Sequence, residues 1–165
     1  LVEKYGTDAT RYLLLRHVHP FEDTDVTWER LDEWYTANLV NGLGNLVARV
    51  TKLAEEHLEE PIVIPEASPF PEALTKGLEK FEFNEALNYI WERIARADER
   101  MTSDAPFKLI KTDPEKAKEI IRELTAEVYS IGRFLNAFMP ATNEKIKQAV
   151  KDNKKPENLF PRLGV

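Results

Sequence analysis

A chain of 165 residues that is 42% hydrophobic and 32% charged has the balance of one soluble globular domain with a single core, neither disordered nor fibrous. It holds no cysteine, which excludes a disulfide framework and a thiolate zinc site, and no apolar run approaches the roughly 20 residues of a membrane helix. The net charge of −6 arises within residues 1–60, so a wholly basic nucleic-acid surface is excluded but a local basic patch in residues 61–165 is not.

Leu1 is not methionine, and helical periodicity is already under way in "LVEKYGTDATRYLLLRHV", so a longer polypeptide is expected upstream. No signal-peptide pattern is present, and a cytoplasmic location is the expectation. Residues 7–17 read as a helix with Thr7 or Asp8 as cap and Leu13, Leu14 and Leu15 as apolar mass. "HPFEDTDVT" breaks it. Thr27 then caps a long helix over about 28–57, whose core face is Trp28, Tyr35, Leu39, Leu43, Leu46, Val50 and Leu53. The proline-rich "EEPIVIPEASPFP" reads as a surface linker.

A helix near 71–81 follows, then one over about 84–102 with Leu87, Ile90, Trp91, Ile94 and Met101 inward. "SDAPFKLIK" starts a short helix at its proline. Asp113-Pro114 is a cap with proline in the first helical position, opening a helix to about Phe138. Ile120, Ile121, Leu124, Val128, Ile131, Leu135 and Phe138 form its core face. A last helix over about 142–152 leads into an extended tail, 153–165. No strand pattern emerges, so the fold class is all-α, a helix bundle.

On a helical wheel of about 100° per residue, Asn38, Asn41, Asn45, Arg49 and Lys52 share a wedge of roughly 80° with Trp34, away from the apolar stripe. Each asparagine inside a helix costs about half a kcal/mol relative to alanine. A merely solvated face is better served by Glu, Lys and Gln, whereas amides and a guanidinium can also hydrogen-bond base edges; both readings fit this stripe. Gly42 and Gly44 weaken the helix and point to close approach of another backbone. Phe107, directly behind Pro106, suits either a core anchor or a stacking platform for an unstacked base. His17, His19 and His57 do not form a metal set, and no nucleophile–base pair, P-loop or glycine-rich phosphate loop is present. No catalytic residue and no metal ligand is therefore assigned. Lys145, Lys147, Lys151, Lys154 and Lys155 make the late segment basic, a solvated face or a phosphate-contacting one.

The blocks "KYGTDATRYLLLR", "YTANLVNGLGNLVARV", "FNEALNYIWERIARADER", "DAPFKL" and "LFPRL" resemble, in this order, the helical anticodon-binding domain of methionyl-tRNA synthetase, a class I enzyme. The resemblance runs from about Glu3 to Leu163. It implies one anticodon-binding domain over 1–165, with 1–20 ending the connection from an upstream catalytic domain. It implies as partners the anticodon stem-loop of methionine tRNA, with its CAU triplet, and a catalytic domain in cis, with neither membrane nor DNA. The parent enzyme would be an ATP- and magnesium-dependent methionine–tRNA ligase, and this region would hold no cofactor. By the family pattern Asn45 and Arg49 contact anticodon bases, with Asn38, Asn41 and Lys52 on the same stripe. Phe107, behind Pro106, replaces a tryptophan that stacks on the first anticodon base. Phenylalanine keeps a π-face but loses area and the indole donor. Asp98-Glu99 stands where the family often has Asn followed by Arg or Lys. Two alternatives are the matching domain of a cysteine, valine or isoleucine enzyme, and a helical protein-interaction scaffold.

Overall fold

Leu31, Tyr35, Leu39, Leu43 and Val47 are all buried and lie four residues apart. Four residues of α-helix overshoot one turn by about 40°, so such a stripe would wind off the core. The backbone resolves this conflict with a change of pitch. Trp28–Trp34 (α3) is α-helical, Tyr35–Gly44 is π-helical, and Asn45–His57 (α4) returns to α geometry. Trp34, Gly44 and Asn45 keep right-handed dihedrals, so the three stretches form one continuous rod. The wider π turn keeps the four-spaced stripe facing inward. An α-helical wheel carried across it misplaces what comes before, and Trp34 stacks on His17 instead of joining the asparagines.

The structure, a computed structural model, describes residues 1–19, 22–64, 66 and 69–164. Pro20 and Phe21 of the first loop, Pro65, Ala67 and Ser68 of the linker, and Val165 of the tail lie outside the described residues. The other elements are α1 (Val2–Tyr5), α2 (Thr7–His17), α5 (Glu72–Glu79), α6 (Phe83–Ser103), α7 (Pro106–Leu109), α8 (Pro114–Leu135) and α9 (Pro140–Lys151). No strand occurs among the described residues, and the fold is all-α. No described helix is long and apolar enough to cross a membrane.

Local signals set most helix starts. The Thr27 hydroxyl accepts from the Arg30 backbone N–H, and the Asp113 carboxylate accepts from that of Lys116. Pro106, Pro114 and Pro140 each open a helix, where the missing N–H costs nothing. Three expectations need correction. Neither Thr7 nor Asp8 caps its own helix; Gly6 holds the cap position, and Asp8 turns to α9. Trp28 is 55% exposed and not on the core face, because the buried stripe begins one turn later, at Leu31. The helical periodicity at the start of the chain belongs to a separate short helix over residues 2–5, broken from α2 at Gly6 and tied to α3 by Lys4 and the Tyr5 hydroxyl, both donating to Asp32. Those two hydrogen bonds hold the Asp32 carboxyl below the usual carboxylate range.

α6 and α8 pack against each other and against the α4 rod, and α9 packs on α8. Leu39, Leu43, Leu46, Leu87, Ile90, Val128 and Leu135 are fully enclosed, each contributing about 1.5–3 kcal/mol. The Arg93 guanidinium grips both oxygens of Glu127, joining α6 to α8. About two helical turns further along α6, Arg100 bonds Asp104 and Glu123. These ties brace the end of α6, where the chain turns into α7.

Candidate nucleic-acid interface

The turn after α6 uses a costly conformation. Ala105 adopts φ 42°, ψ 54°, left-handed backbone that an L-residue enters at a cost of about 1–2 kcal/mol. Pro106 follows and is buried, fixing the direction of α7. Phe107 is thereby turned outward and is 42% exposed, although it is a large aromatic beside a buried proline. Its ring lines an open cleft of about 370 Å³ together with Arg49, Lys52, Leu53, Glu56 and Met101. Leu53, Met101 and Phe107 supply apolar surface, and the two cations stand beside it.

Arg49 projects from α4 toward α6, where its Nη1 donates to Asp98 Oδ1 at 2.8 Å. Both side chains keep substantial exposure, so solvent screens the pair and it contributes little to folding. Lys52 lies 3.7 Å from Glu56 on the same helix, another exposed pair. Lys108, next to Phe107, holds its ammonium 5.8 Å from the ring centroid.

Asn45 and Asn41 lie one and two turns back from Arg49 along the rod and face a second, narrower cleft. It is about 130 Å³ and is closed on the far side by tail residues Pro156 to Arg162. The tail runs back along the rod, fastened at successive points. Asn153 donates to the Leu58 carbonyl, the Lys155 backbone N–H donates to Glu55, and the Tyr35 hydroxyl donates to the Pro161 carbonyl. Phe160 is buried edge-on to Tyr35. It seats over Gly44, where a Cβ would meet the Leu39 carbonyl oxygen at 2.9 Å and the Phe160 ring at 3.3 Å. Contrary to the expectation from sequence, no separate backbone approaches either glycine: Gly44 is crowded by the π-helix's own carbonyl and a tail aromatic, and a Cβ at Gly42 would meet the Ala37 carbonyl oxygen at 3.3 Å and the Trp91 indole nitrogen at 3.9 Å.

The structure therefore brings Arg49, Lys52 and Phe107 to one cleft, and Asn41 and Asn45 to its neighbour on the same rod. Asn38 is half-buried and lines neither, while Pro106 lies beneath Phe107 as its buried support. Asn158 and Arg162, which face the asparagines, were not foreseen. Their only signal is position: they flank the "LFP" of "LFPRL", the apolar anchor of the tail. Among the described residues no group of three or more His, Asp or Glu could hold a metal ion.

Comparison with known proteins gives the class first. Residues 1–51 match the family model for tRNA synthetases class I (M). Among curated relatives, the methionine–tRNA ligase of Clostridium acetobutylicum is 30% identical over 89% of this chain and 25% of its own length. That of Caldanaerobacter subterraneus is 28% identical over all of this chain and 26% of its own length. That of Rickettsia felis is 29% identical over 99% of this chain and 35% of its own length. The crystal structure of apo Mycobacterium tuberculosis methionyl-tRNA synthetase shares the fold, with a TM-score of 0.78 at 21% identity over 99% of this chain and 40% of that one. The same enzyme in complex with methionyl-adenylate aligns at 0.70, with 22% identity over 97% of this chain and 37% of that one. The chain belongs to the methionyl-tRNA synthetase family, and it spans about a quarter to a third of the length of these curated relatives.

Proposed function

We propose that this chain is an anticodon-binding domain that reads the CAU triplet of methionine tRNA. The observation that carries the reading is the shared cleft of Arg49 and Phe107, which come from opposite halves of the chain. An exposed ring beside a guanidinium is what an unstacked base requires: a flat apolar surface for its face and donors for its edge. Asn41 and Asn45 add amides that both donate and accept, in the next cleft along the rod. The buried Pro106 and the strained Ala105 hold Phe107 outward before any ligand arrives, which lowers the ordering cost of binding. The acidic net charge fits a reader that relies on a few placed contacts. Lys145, Lys154 and Lys155 line a cleft at the start of the tail, where they could meet backbone phosphates.

The whole enzyme would join methionine to its tRNA in the cytoplasm. ATP and magnesium would be handled by a catalytic domain in cis, since these residues offer neither a phosphate-cradling glycine loop nor, among those described, a cation-binding carboxylate group. The test is a titration of this chain with a methionine-tRNA anticodon stem-loop, beside stem-loops with a changed first base or a scrambled triplet. The expected result is tighter binding of the CAU loop, by about tenfold or more over the first-base variants. Equal affinity for the scrambled loop would exclude the reading.

A further inference from the structure

We infer that Trp28, with Leu1, Val2 and Val26, forms a docking surface for the part of the parent polypeptide preceding residue 1, which meets it with a basic, indole-accepting face. This rests on the catalytic domain in cis proposed above, and it is independent of anticodon reading.

The indole stands where the bundle gives it no core to fill. Thr27 caps α3, so Trp28 takes the first helical position, one turn before the buried stripe begins at Leu31. The short helix α1 lies beside it. The Tyr5 ring is 6.5 Å from the indole and the Lys4 ammonium is 5.2 Å from it, and Asp32 fixes both Lys4 and Tyr5. Leu1 and Val2 stand four and three residues before Tyr5, hence on its side of α1, and both are exposed. Val26, two residues before Trp28, is exposed as well. The corner is thus apolar, uncovered by this chain, and held in shape before any partner arrives.

Charge decides what covers it. Glu3, Asp23 and Glu29 stand in this corner without an ion-pair partner among the described residues, while Lys4 and Arg30 are already matched by Asp32 and Asp25. RNA phosphates would meet uncompensated carboxylates here. A second copy in a two-fold contact would set the same carboxylates against their own images. Lysines and arginines around an apolar slot suit both features, because the slot takes the indole and the rim pairs the acids. A segment joined to Leu1 leaves from this very corner, so it meets the patch at high effective concentration. This chain spans about a quarter to a third of its curated relatives, and the remainder of such a polypeptide is large enough to supply the surface. The cleft of Arg49 and Phe107 lies toward the far end of the same rod, so docking at Trp28 leaves it open.

The experiment compares acrylamide quenching of tryptophan fluorescence in this chain and in the parent polypeptide, each as wild type and Trp28→Phe. The difference between the two forms isolates Trp28 from Trp34, Trp91 and any tryptophan upstream. Trp28 should be freely quenched in the 165-residue chain and should lose most of that quenching in the parent. Trp28→Glu in the parent should lower kcat for tRNA charging by about tenfold or more, through misplacement of the two parts. In the chain alone the same substitution should leave melting and stem-loop affinity near wild type, since the ring is exposed. Equal quenching of Trp28 in chain and parent, or an unaltered kcat, overturns the inference. So does protection of Trp28 in the chain by added stem-loop, which makes the face an RNA contact, or by raised chain concentration, which makes it a contact between copies. Methionine-dependent pyrophosphate exchange by the parent tests the catalytic domain separately. Its absence overturns the reading on which the inference rests, whereas exchange with an unprotected Trp28 overturns the inference alone.

Discussion

The imidazole of His17 lies flat on the indole of Trp34, with ring centroids 4.2 Å apart and planes 4° from parallel. Nε2 is buried without a hydrogen-bond partner. Burial, and secondarily the nearby Arg16 charge, push the imidazole down to about 4. In the unfolded chain it would titrate near 6.5. Because the folded value is the lower one, the neutral stack contributes its full stability above about pH 6.5 and loses it progressively as pH falls toward 4. The melting temperature should therefore fall over that window by more in wild type than in His17→Gln. Parallel pH profiles for the two proteins would refute a His17 contribution.

Asp8 should cost more than a surface carboxylate when removed. Its Oδ2 accepts from the Thr142 backbone N–H at 2.6 Å and from the Thr142 hydroxyl at 2.9 Å, capping α9 from the other end of the chain. Thr142 is buried, so both donors would lose their partner. Asp8→Ala should destabilise by about 1–2 kcal/mol in urea unfolding, the usual worth of a helix cap. A loss within the scatter of ordinary surface mutants would mean that water replaces the cap.

Gly44→Ala sets two effects against each other. In an ordinary helix interior the change gains about 1 kcal/mol. Here the added Cβ meets a backbone carbonyl that cannot swing aside and the anchored ring of Phe160. Overpacking of this kind costs about 1–3 kcal/mol, so the net change should be destabilising, with the tail loosened first. A raised melting temperature would show that the π stretch yields easily.

Arg49→Ala should separate binding from folding. Loss of a good base contact costs about 1–3 kcal/mol of stem-loop affinity. Loss of one exposed ion pair costs folding about 1 kcal/mol or less. Stem-loop titration beside thermal melting measures both, and unchanged affinity with lowered stability would assign Arg49 a structural role.

Phe107 offers the sharpest contrast between the two readings of an aromatic. At 42% exposure it has little core to lose, so Phe107→Ala should leave melting nearly unchanged while costing about 1–3 kcal/mol of loop affinity. Phe107→Trp should preserve or strengthen binding by enlarging the π-surface, without the strain it would cause in a closed core. Pro106→Gly should weaken binding through lost preorganisation. Full RNA affinity in folded Phe107→Ala would end the stacking role.

Local chemistry made most of the fold legible from the sequence alone. Thr27 and Asp113 find their cap partners three residues away, prolines mark three helix starts, and the apolar periods of α6 and α8 face a core that any bundle would supply. The four-residue spacing of Leu31 to Val47 was also there to read, but only a packed core decides that the backbone bends its pitch instead of releasing the stripe. Asp8 looks like a cap for its own helix because the alternative partner is 134 residues distant. The same reason governs the candidate site. The residue types of Arg49 and Phe107 are visible in the chain, yet their cleft exists only because α6 and α8 brace the turn that throws Phe107 across to α4. Sequence specifies what each side chain can donate, accept or stack; which of them share one surface depends on contacts between distant segments, and those follow from burying the common core.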